Sequence, residues 1–147
     1  VNPYFVPTKS IKEAIKHALK KGTEVEIMVP SVSDVPFTPE AAFYILHKLM
    51  KKGAKVYLFN GGFHHSKVMM VDGSFCTVGT ANLNSRSLRY DYETNAFIFD
   101  PETTAELTEM FNRDKQNSTL MTPEYWKERS AWKKFVGWFA HLFTPFL

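Results

Sequence analysis

A histidine and a lysine two positions apart, His65 and Lys67, are the residues of this sequence best suited to chemistry. In an extended chain, side chains at positions i and i+2 project from the same face, so the pair is expected to lie side by side. Burial in a core would desolvate both groups, whereas a phosphate ester suits them. The ammonium neutralises phosphate oxygens while the imidazole attacks phosphorus or delivers a proton. The pair therefore indicates a phosphodiester-handling site.

Further residues are expected to complete this site. Asp72 lies at odd spacing from the pair, which favours an orienting or fold-holding role near a turn over direct contact. Thr80 and Asn82 are neutral hydrogen-bond donors for phosphate oxygens, and Gly79 before them would let the backbone approach a ligand. Glu93 is the candidate carboxylate that fixes the tautomer of the imidazole.

The elements that must position these residues follow from hydrophobic spacing and turn signals. They are a helix from Thr8 or Ser10 to Gly22, a strand Val25–Val29, a loop Ser31–Pro36, a helix from Thr38 to about Lys52, a strand Lys55–Phe59, strands His65–Val71 and Phe75–Val78 around a turn at 72–74, a strand Thr94–Phe99, and helices after Pro101 interrupted at Pro123. This order predicts an α/β fold, with a mixed β-sheet flanked by helices in an α-β-α-type sandwich.

Composition allows one compact domain and excludes several classes of protein. The chain has 147 residues, 44% of them hydrophobic, and a net charge of +3. This charge suits an anionic ligand but is too small for the basic stripe of a dedicated nucleic-acid binder. Cys76 is the single cysteine, so an internal disulfide and a Cys-based zinc cluster are excluded, and we expect a buried, inert thiol. We predict neither a metal site nor a cofactor.

The sequence contains no run of about 18 apolar residues, so we expect no transmembrane helix within it and no signal peptide at its start. It begins with valine instead of methionine. We therefore expect either a piece of a longer protein or a chain that has lost its initiator methionine.

The remaining histidines are not expected to be catalytic. His64 would lie on the opposite face from His65 in a structural role, and His17 and His47 lie on helices among lysines and are expected to be solvated. His141, in the C-terminal tail, has no expected role in catalysis.

The last predicted helix is amphipathic. Its apolar positions are Trp132, Phe135, Val136, Phe139, Leu142 and Phe143, and the basic residues near them are Lys127, Arg129, Lys133 and Lys134. Two interpretations remain open. The helix either lies on an anionic lipid surface, or it buries its apolar stripe in the core or against another domain.

The pattern His65-x-Lys67-x4-Asp72, followed by Gly79-Thr80-x-Asn82, resembles the HKD motif of the phospholipase D superfamily. Further likeness is carried by Asn2-Pro3-Tyr4-Phe5, by 82–87 (Asn-Leu-Asn-Ser-Arg-Ser), by Asp91-Tyr92-Glu93 and by the ending 143–147. With these segments the whole chain resembles the C-terminal half of a bacterial cardiolipin synthase. The motif region would span about 63–89, followed by a helical tail over 101–147.

The resemblance implies a metal-free mechanism with a covalent phosphohistidine intermediate. Two HKD motifs face each other, and one histidine attacks phosphorus while the other protonates the leaving alcohol. Carried over by position, His65 is nucleophile or general acid, Lys67 and Asn82 bind phosphate, and Glu93 hydrogen-bonds the imidazole. In relatives with two motifs the first histidine is usually the nucleophile, so His65 would be the acid and base. The implied reaction joins two phosphatidylglycerols and releases glycerol.

This sequence departs from the family pattern in three places and holds one motif. Thr80 replaces the commoner serine, Asn84 stands where aspartate is frequent, and Asp91 stands where asparagine often precedes the glutamate. The expected partner is therefore a second HKD half, supplied upstream in the same polypeptide or by a second chain. We expect the isolated chain to be inactive, and the complete enzyme to act at the bacterial membrane surface through an anchor outside this chain.

Two rival functions stay open. A homodimeric phospholipase D-type endonuclease fits the length, but the modest charge and the aromatic tail argue against a nucleic-acid partner. A non-catalytic lipid- or partner-binding module would have no reason to combine the histidine, lysine, aspartate, asparagine and glutamate of the motif.

Overall fold

The computed structural model describes residues 1–33 and 38–144, without the side chain of Thr38. Its elements are α1 Lys9–Lys20, β1 Glu26–Pro30, α2 Thr38–Met50, β2 Lys55–Phe59, β3 Val68–Val71, β4 Phe75–Gly79, α3 Ser85–Arg89, β5 Asn95–Ile98, α4 Pro101–Gln116, β6 Ser118–Leu120, α5 Pro123–Glu128 and α6 Ala131–His141. The predicted α/β class is confirmed. Residues 34–36 of the predicted loop Ser31–Pro36 and the ending 145–147 lie outside the described residues.

The first sheet has the strand order β1-β2-β6. β1 and β2 are parallel, with Glu26 opposite Lys55, because α2 connects them as a crossover. β6 adds to β2 in antiparallel register. The prediction that the chain is only helical after Pro101 was wrong here. The prediction failed because β6 is only three residues long and pairs with β2, about 60 residues earlier in the chain. Local spacing does not reveal such a pairing.

The main hydrophobic core lies between this first sheet and α2. Leu46 and Leu49 of α2 and Val56 and Leu58 of β2 are almost fully buried and belong to one cluster. Their apolar periods of about 3.6 in the helix and 2 in the strand place them on facing surfaces. The part of the chain that the structure describes contains no helix long and apolar enough to cross a membrane.

The second sheet has the order β3-β4-β5 and is antiparallel throughout. The predicted turn joins β3 and β4, and Asp72 and Gly73 both have positive φ, at 48° and 66°. Asp and Gly are residue types that tolerate this left-handed conformation. The predicted strand His65–Val71 is too long, because regular β3 begins only at Val68. Cys76 is fully buried, as expected, in β4, on which α4 packs.

The first residues of the chain connect the two sheets. The Asn2 N–H donates to the carbonyl of Met28 in β1, and the Val68 N–H donates to the carbonyl of Val1, both at 3.0 Å. Asn2 Oδ1 also accepts a hydrogen bond from the Leu83 N–H at 3.2 Å. The segment therefore holds the motif loops against the first sheet.

Candidate active site

His65 and Lys67 lie in contact, although they precede β3 and are not part of a regular strand. Lys67 Nζ lies 3.0 Å from His65 Nδ1 and 2.9 Å from Nε2, and it donates to the His65 carbonyl at 2.9 Å. His65 is exposed, whereas Lys67 is buried. Burial lowers the pKa of the Lys67 ammonium, and the charge of Glu93 partly opposes this effect. A desolvated ammonium beside an accessible imidazole is well placed for a phosphate oxygen.

Two aromatic rings that sequence reasoning missed hold the imidazole in place. The ring centroid of His65 lies 6.0 Å from Tyr4 in an edge-on geometry and 5.3 Å from Phe63. The ring centroids of Tyr4 and Phe63 are 5.9 Å apart, so these two rings also contact each other. The likeness of the opening Asn2-Pro3-Tyr4-Phe5 to the family was the available signal for Tyr4. Its contact with His65 depends on the docking of the N-terminal segment.

The sheet ladder brings Glu93 to the same side as Lys67. The Gly79 N–H donates to the Lys67 carbonyl at 3.2 Å, which continues the β3–β4 ladder, and Gly79 is paired with Asn95. Glu93 precedes Asn95 by two positions and thus projects from the face that carries Lys67. The ladder therefore places the carboxylate and the ammonium of the motif within electrostatic reach.

Glu93 is held by hydroxyl groups. Hydrogen bonds from Thr80 and then Ser87 lower the pKa of the Glu93 carboxyl, and the charge of Lys67 adds to the effect. Ser87 is buried and was not among the predicted site residues. Within the described part of the chain, Glu93 and His65 share no hydrogen bond, so the predicted orienting contact stays a prediction. The arrangement keeps Glu93 ionised beside Lys67.

The loop after β4 is pinned by Asn95, another residue that sequence reasoning missed. Asn95 Oδ1 accepts a hydrogen bond from the Ala81 N–H at 3.2 Å. A Cβ on Gly79 would lie 2.1 Å from that oxygen and 2.4 Å from the Thr94 carbonyl. Gly79 thus permits close approach of β5, whereas the sequence suggested close approach of a ligand.

Asn82 and Asn84 have different roles in this loop. Asn82 Oδ1 is buried and has no hydrogen-bond partner among the residues that the structure describes. An amide oxygen accepts hydrogen bonds, so the group of Asn82 that could donate to a phosphate oxygen is its NH₂. Asn84 caps α3 by accepting the Ser87 N–H at 2.8 Å. Asparagine and aspartate cap equally well, which explains why the departure at position 84 is tolerated.

Asp72 is exposed in the hairpin turn and makes no ion pair among the described residues. The structure therefore places it in the turn, as its odd spacing indicated, and does not bring it to His65. Its role in the site remains a prediction.

The other histidines divide into confirmed and corrected predictions. His64 Nε2 lies 3.0 Å from Asp114 Oδ2, which supports the structural role. His17 is exposed, as expected. His47 was expected to be solvated and is instead buried, with its ring stacked on Trp126 at 4.0 Å. That expectation was wrong because the stacking partner lies in α5, far along the chain. Over residues 1–33 and 38–144, no group of three His, Cys, Asp or Glu side chains could hold a metal ion.

Both the sequence and the fold of this chain are similar to those of known proteins. Residues 1–115 match the family model described as cardiolipin synthase, PLD-like domain. The chain is 39% identical to cardiolipin synthase of Listeria monocytogenes serotype 4a (strain HCC23) over 146 residues, which are 99% of this chain and 30% of that protein. Cardiolipin synthase 1 of Staphylococcus epidermidis (strain ATCC 12228 / FDA PCI 1200) is 36% identical, with the same coverage. This chain thus spans 30% of the length of these relatives.

Two solved structures share the fold. Phosphatidylserine synthase of Haemophilus influenzae Rd KW20 has a TM-score of 0.71 and 21% identity, covering 99% of this chain and 38% of that one. Nuc from Salmonella typhimurium, a phospholipase D family member, has a TM-score of 0.68 and 19% identity, covering 81% and 78%. Fold and motif together define a phospholipase D-type domain. More narrowly, the chain belongs to the cardiolipin synthase, PLD-like domain family.

Proposed function

We propose that this chain is one half of a phosphatidyltransferase that joins two phosphatidylglycerols into cardiolipin and releases glycerol. The observation that carries the proposal is the contact between the exposed imidazole of His65 and the buried ammonium of Lys67, with ionised Glu93 nearby. A phosphodiester bound here would accept hydrogen bonds from Lys67 and leave the imidazole free for proton transfer. The family of the chain supports phosphatidylglycerol as the substrate.

In this proposal His65 is the general acid and base, and the histidine of the other half is the nucleophile. The nucleophilic nitrogen forms a bond to phosphorus, the bond from phosphorus to the glycerol oxygen breaks, and His65 gives that oxygen a proton. The hydroxyl of a second phosphatidylglycerol then gives its proton to His65 and attacks phosphorus, which breaks the phosphorus–nitrogen bond. Lys67 and Asn82 bind the phosphate oxygens, and Glu93 orients the imidazole. Thr80 joins them when its hydroxyl turns from Glu93 to the phosphate. No metal or cofactor is needed for these steps.

The partner in the proposal is a second HKD half, with this chain as the C-terminal half of a two-domain enzyme. The face that carries Lys67 continues into an exposed apolar strip, which we define as Met69, Val71, Phe97 and Phe99. Strand register puts these residues on one face, because Met69 and Phe97 both flank Thr77. An apolar surface beside an incomplete site supports the docking of a second half there.

A homodimeric nuclease is the second candidate. The observation that favours it is the fold match to Nuc, which covers 78% of that chain, whereas the match to phosphatidylserine synthase covers 38%. In that case two copies of this chain would each supply one histidine. The 39% identity to a cardiolipin synthase over 99% of the chain favours the transferase.

The test measures solution mass and two activities on the full-length protein. Phosphatidylglycerol in vesicles and a DNA substrate are assayed side by side, with His65→Ala as the inactive variant and His17→Ala, an exposed histidine of α1, as its control. We expect cardiolipin and glycerol from the native protein and from His17→Ala, and a loss of about 10²–10⁴-fold in His65→Ala. A dimer of the 147-residue chain that cleaves DNA, or transfer retained in His65→Ala, would refute the proposal.

A further inference from the structure

Helix α6 and the turn after it present a row of apolar side chains to solvent. This aromatic ridge consists of Trp132, Phe135, Trp138, Phe139, Leu142 and Phe143, each between 44% and 70% exposed. The rings contact one another along the helix, with centroids 5.9 Å apart for Trp132 and Phe135 and 5.2 Å apart for Phe139 and Phe143. A contiguous apolar surface on this scale is characteristic of a binding surface.

Packing on α2 decides which side of α6 faces outward. Gly137 is buried, and a Cβ there would lie 2.5 Å from the Glu40 carbonyl oxygen, so glycine permits this close helix contact. Arg129, just before α6, forms an ion pair with the Glu40 side chain. Phe135 and Phe139 are two positions from Gly137, about 200° around the helix, and so lie on the opposite side. The ridge is therefore held outward by specific contacts.

The charge near the ridge is positive. α6 contains Lys133 and Lys134 and no acidic residue, and Lys134 Nζ donates to the Lys127 carbonyl at 2.8 Å. Aromatic rings beside lysines complement the headgroup region of an anionic bilayer.

We propose that the aromatic ridge binds the surface of a bilayer that contains anionic phospholipid, with α6 lying parallel to the membrane plane. The rings enter the headgroup and upper acyl region, and the positive charge of α6 attracts the anionic surface. The identity of the lipid, phosphatidylglycerol, rests on the proposed function. The second HKD half has a different place to dock, because His65 is next to the second sheet, whereas α6 is attached to α2 on the first sheet.

The first test is co-sedimentation of the purified chain with vesicles. One set contains equal parts phosphatidylglycerol and phosphatidylcholine, and the other contains phosphatidylcholine alone. We expect the native chain to bind the anionic vesicles. A variant with Phe135→Ser and Phe139→Ser should bind them at least about tenfold more weakly. The matched control, Phe97→Ser with Phe99→Ser, removes two exposed phenylalanines of the second sheet and should bind like the native chain. Binding that depends on the control positions instead would overturn the proposal.

The second test leaves the phenylalanines of the ridge in place. The chain has three tryptophans, so Trp126→Phe with Trp138→Phe leaves Trp132 as the single reporter. Its emission should move to shorter wavelength on anionic vesicles and stay constant on phosphatidylcholine; constant emission on both would refute lipid contact. The chain could instead self-associate without lipid. If the variant with Phe135→Ser and Phe139→Ser loses that self-association, the aromatic ridge binds a second copy of the chain and the proposal is refuted. His65→Ala should bind vesicles normally, so failure of the proposed chemistry and failure of the lipid contact are distinguishable.

Discussion

The two sheets of this molecule differ in how completely they are covered. In the first sheet, Val56 and Leu58 are at most 1% exposed, and α2 packs over them. In the second sheet, Met69 and Phe97 are 48% and 66% exposed, although they belong to strands of similar composition. The site residues His65, Lys67 and Glu93 all belong to the second, less covered sheet or the loops beside it.

This difference shows that stability and chemistry are provided by different parts of the chain. The first sheet completes a core within one domain, since its burial requires only α2 and neighbouring segments. The second sheet has α4 on one face, and its other face ends in the exposed apolar strip beside the motif. The proposed half of an active site and the proposed docking surface thus coincide. Substitutions in the two sheets should therefore differ in whether they reduce stability or transfer.

The largest effect on stability is expected in the first sheet. Leu46→Ala removes a fully buried side chain from α2 and should lower the free energy of unfolding by about 2–5 kcal/mol. Met69→Ala in the second sheet, at 48% exposure, should cost less than about 1 kcal/mol in the isolated chain. Urea denaturation of both variants measures the difference. Equal costs would show that the second sheet is as tightly packed as the first.

The largest effect on transfer is expected at Lys67. Lys67→Met removes the ammonium proposed to bind phosphate and should lower the rate about 10²–10³-fold in the full-length enzyme. Its thermal midpoint should change little, because a desolvated ammonium does not favour the folded state. The matched control is Lys55→Met, which removes an exposed lysine at the start of β2. A rate unchanged in Lys67→Met would remove this residue from the mechanism.

Gly79→Ala tests the contact between β4 and β5. The added Cβ would collide with Asn95 Oδ1 and the Thr94 carbonyl, so β5 must shift, at a cost of about 1–3 kcal/mol. Because that shift also moves Glu93, transfer should fall as well. Gly22→Ala, with φ at 86° and open space around it, should lose stability and keep full transfer in the full-length enzyme. Equal transfer in the two variants would contradict the positioning role of this contact.

The smallest effect concerns the pH dependence of stability. The pKa of Glu93 is lower in the folded chain than its ordinary value of 4.5, so its stabilising contribution is present above pH 4.5 and is lost as pH falls through the folded pKa. Glu93→Gln should therefore flatten the decline of unfolding free energy below pH 4.5. Thr80→Val with Ser87→Ala, which removes both hydroxyl donors, should flatten it similarly. If the free energy of unfolding declined below pH 4.5 as steeply in both variants as in the native chain, the hydroxyl groups would not stabilise the ionised carboxylate.

Much of the site could be predicted from the sequence because its key spacings are local. His65 and Lys67 are two positions apart, and their contact follows from an extended backbone even though regular β3 starts later, at Val68. The turn at Asp72 and Gly73 is equally local, because those residue types tolerate positive φ. Helices α1 and α2 were recognisable from their apolar period. These features depend on neighbours within a few residues.

Other features depended on the tertiary structure because their partners are distant in the chain. Tyr4 meets His65 only after the N-terminal segment docks, and Asn95 reaches Ala81 only through strand pairing. His47 is buried because Trp126 stacks on it. Long-range contacts of this kind leave no periodic signal in either segment.

The sequence by itself predicted the residues of the candidate phosphodiester site and determined the order of most elements that carry it. Only the tertiary structure decided which apolar surfaces are covered. The apolar stripe of α2 is buried, whereas the aromatic ridge of α6 is exposed, although both segments are amphipathic helices. Hydrophobic periodicity predicts that one face of a helix is buried against a partner. Only the folded structure shows whether that partner belongs to the same chain.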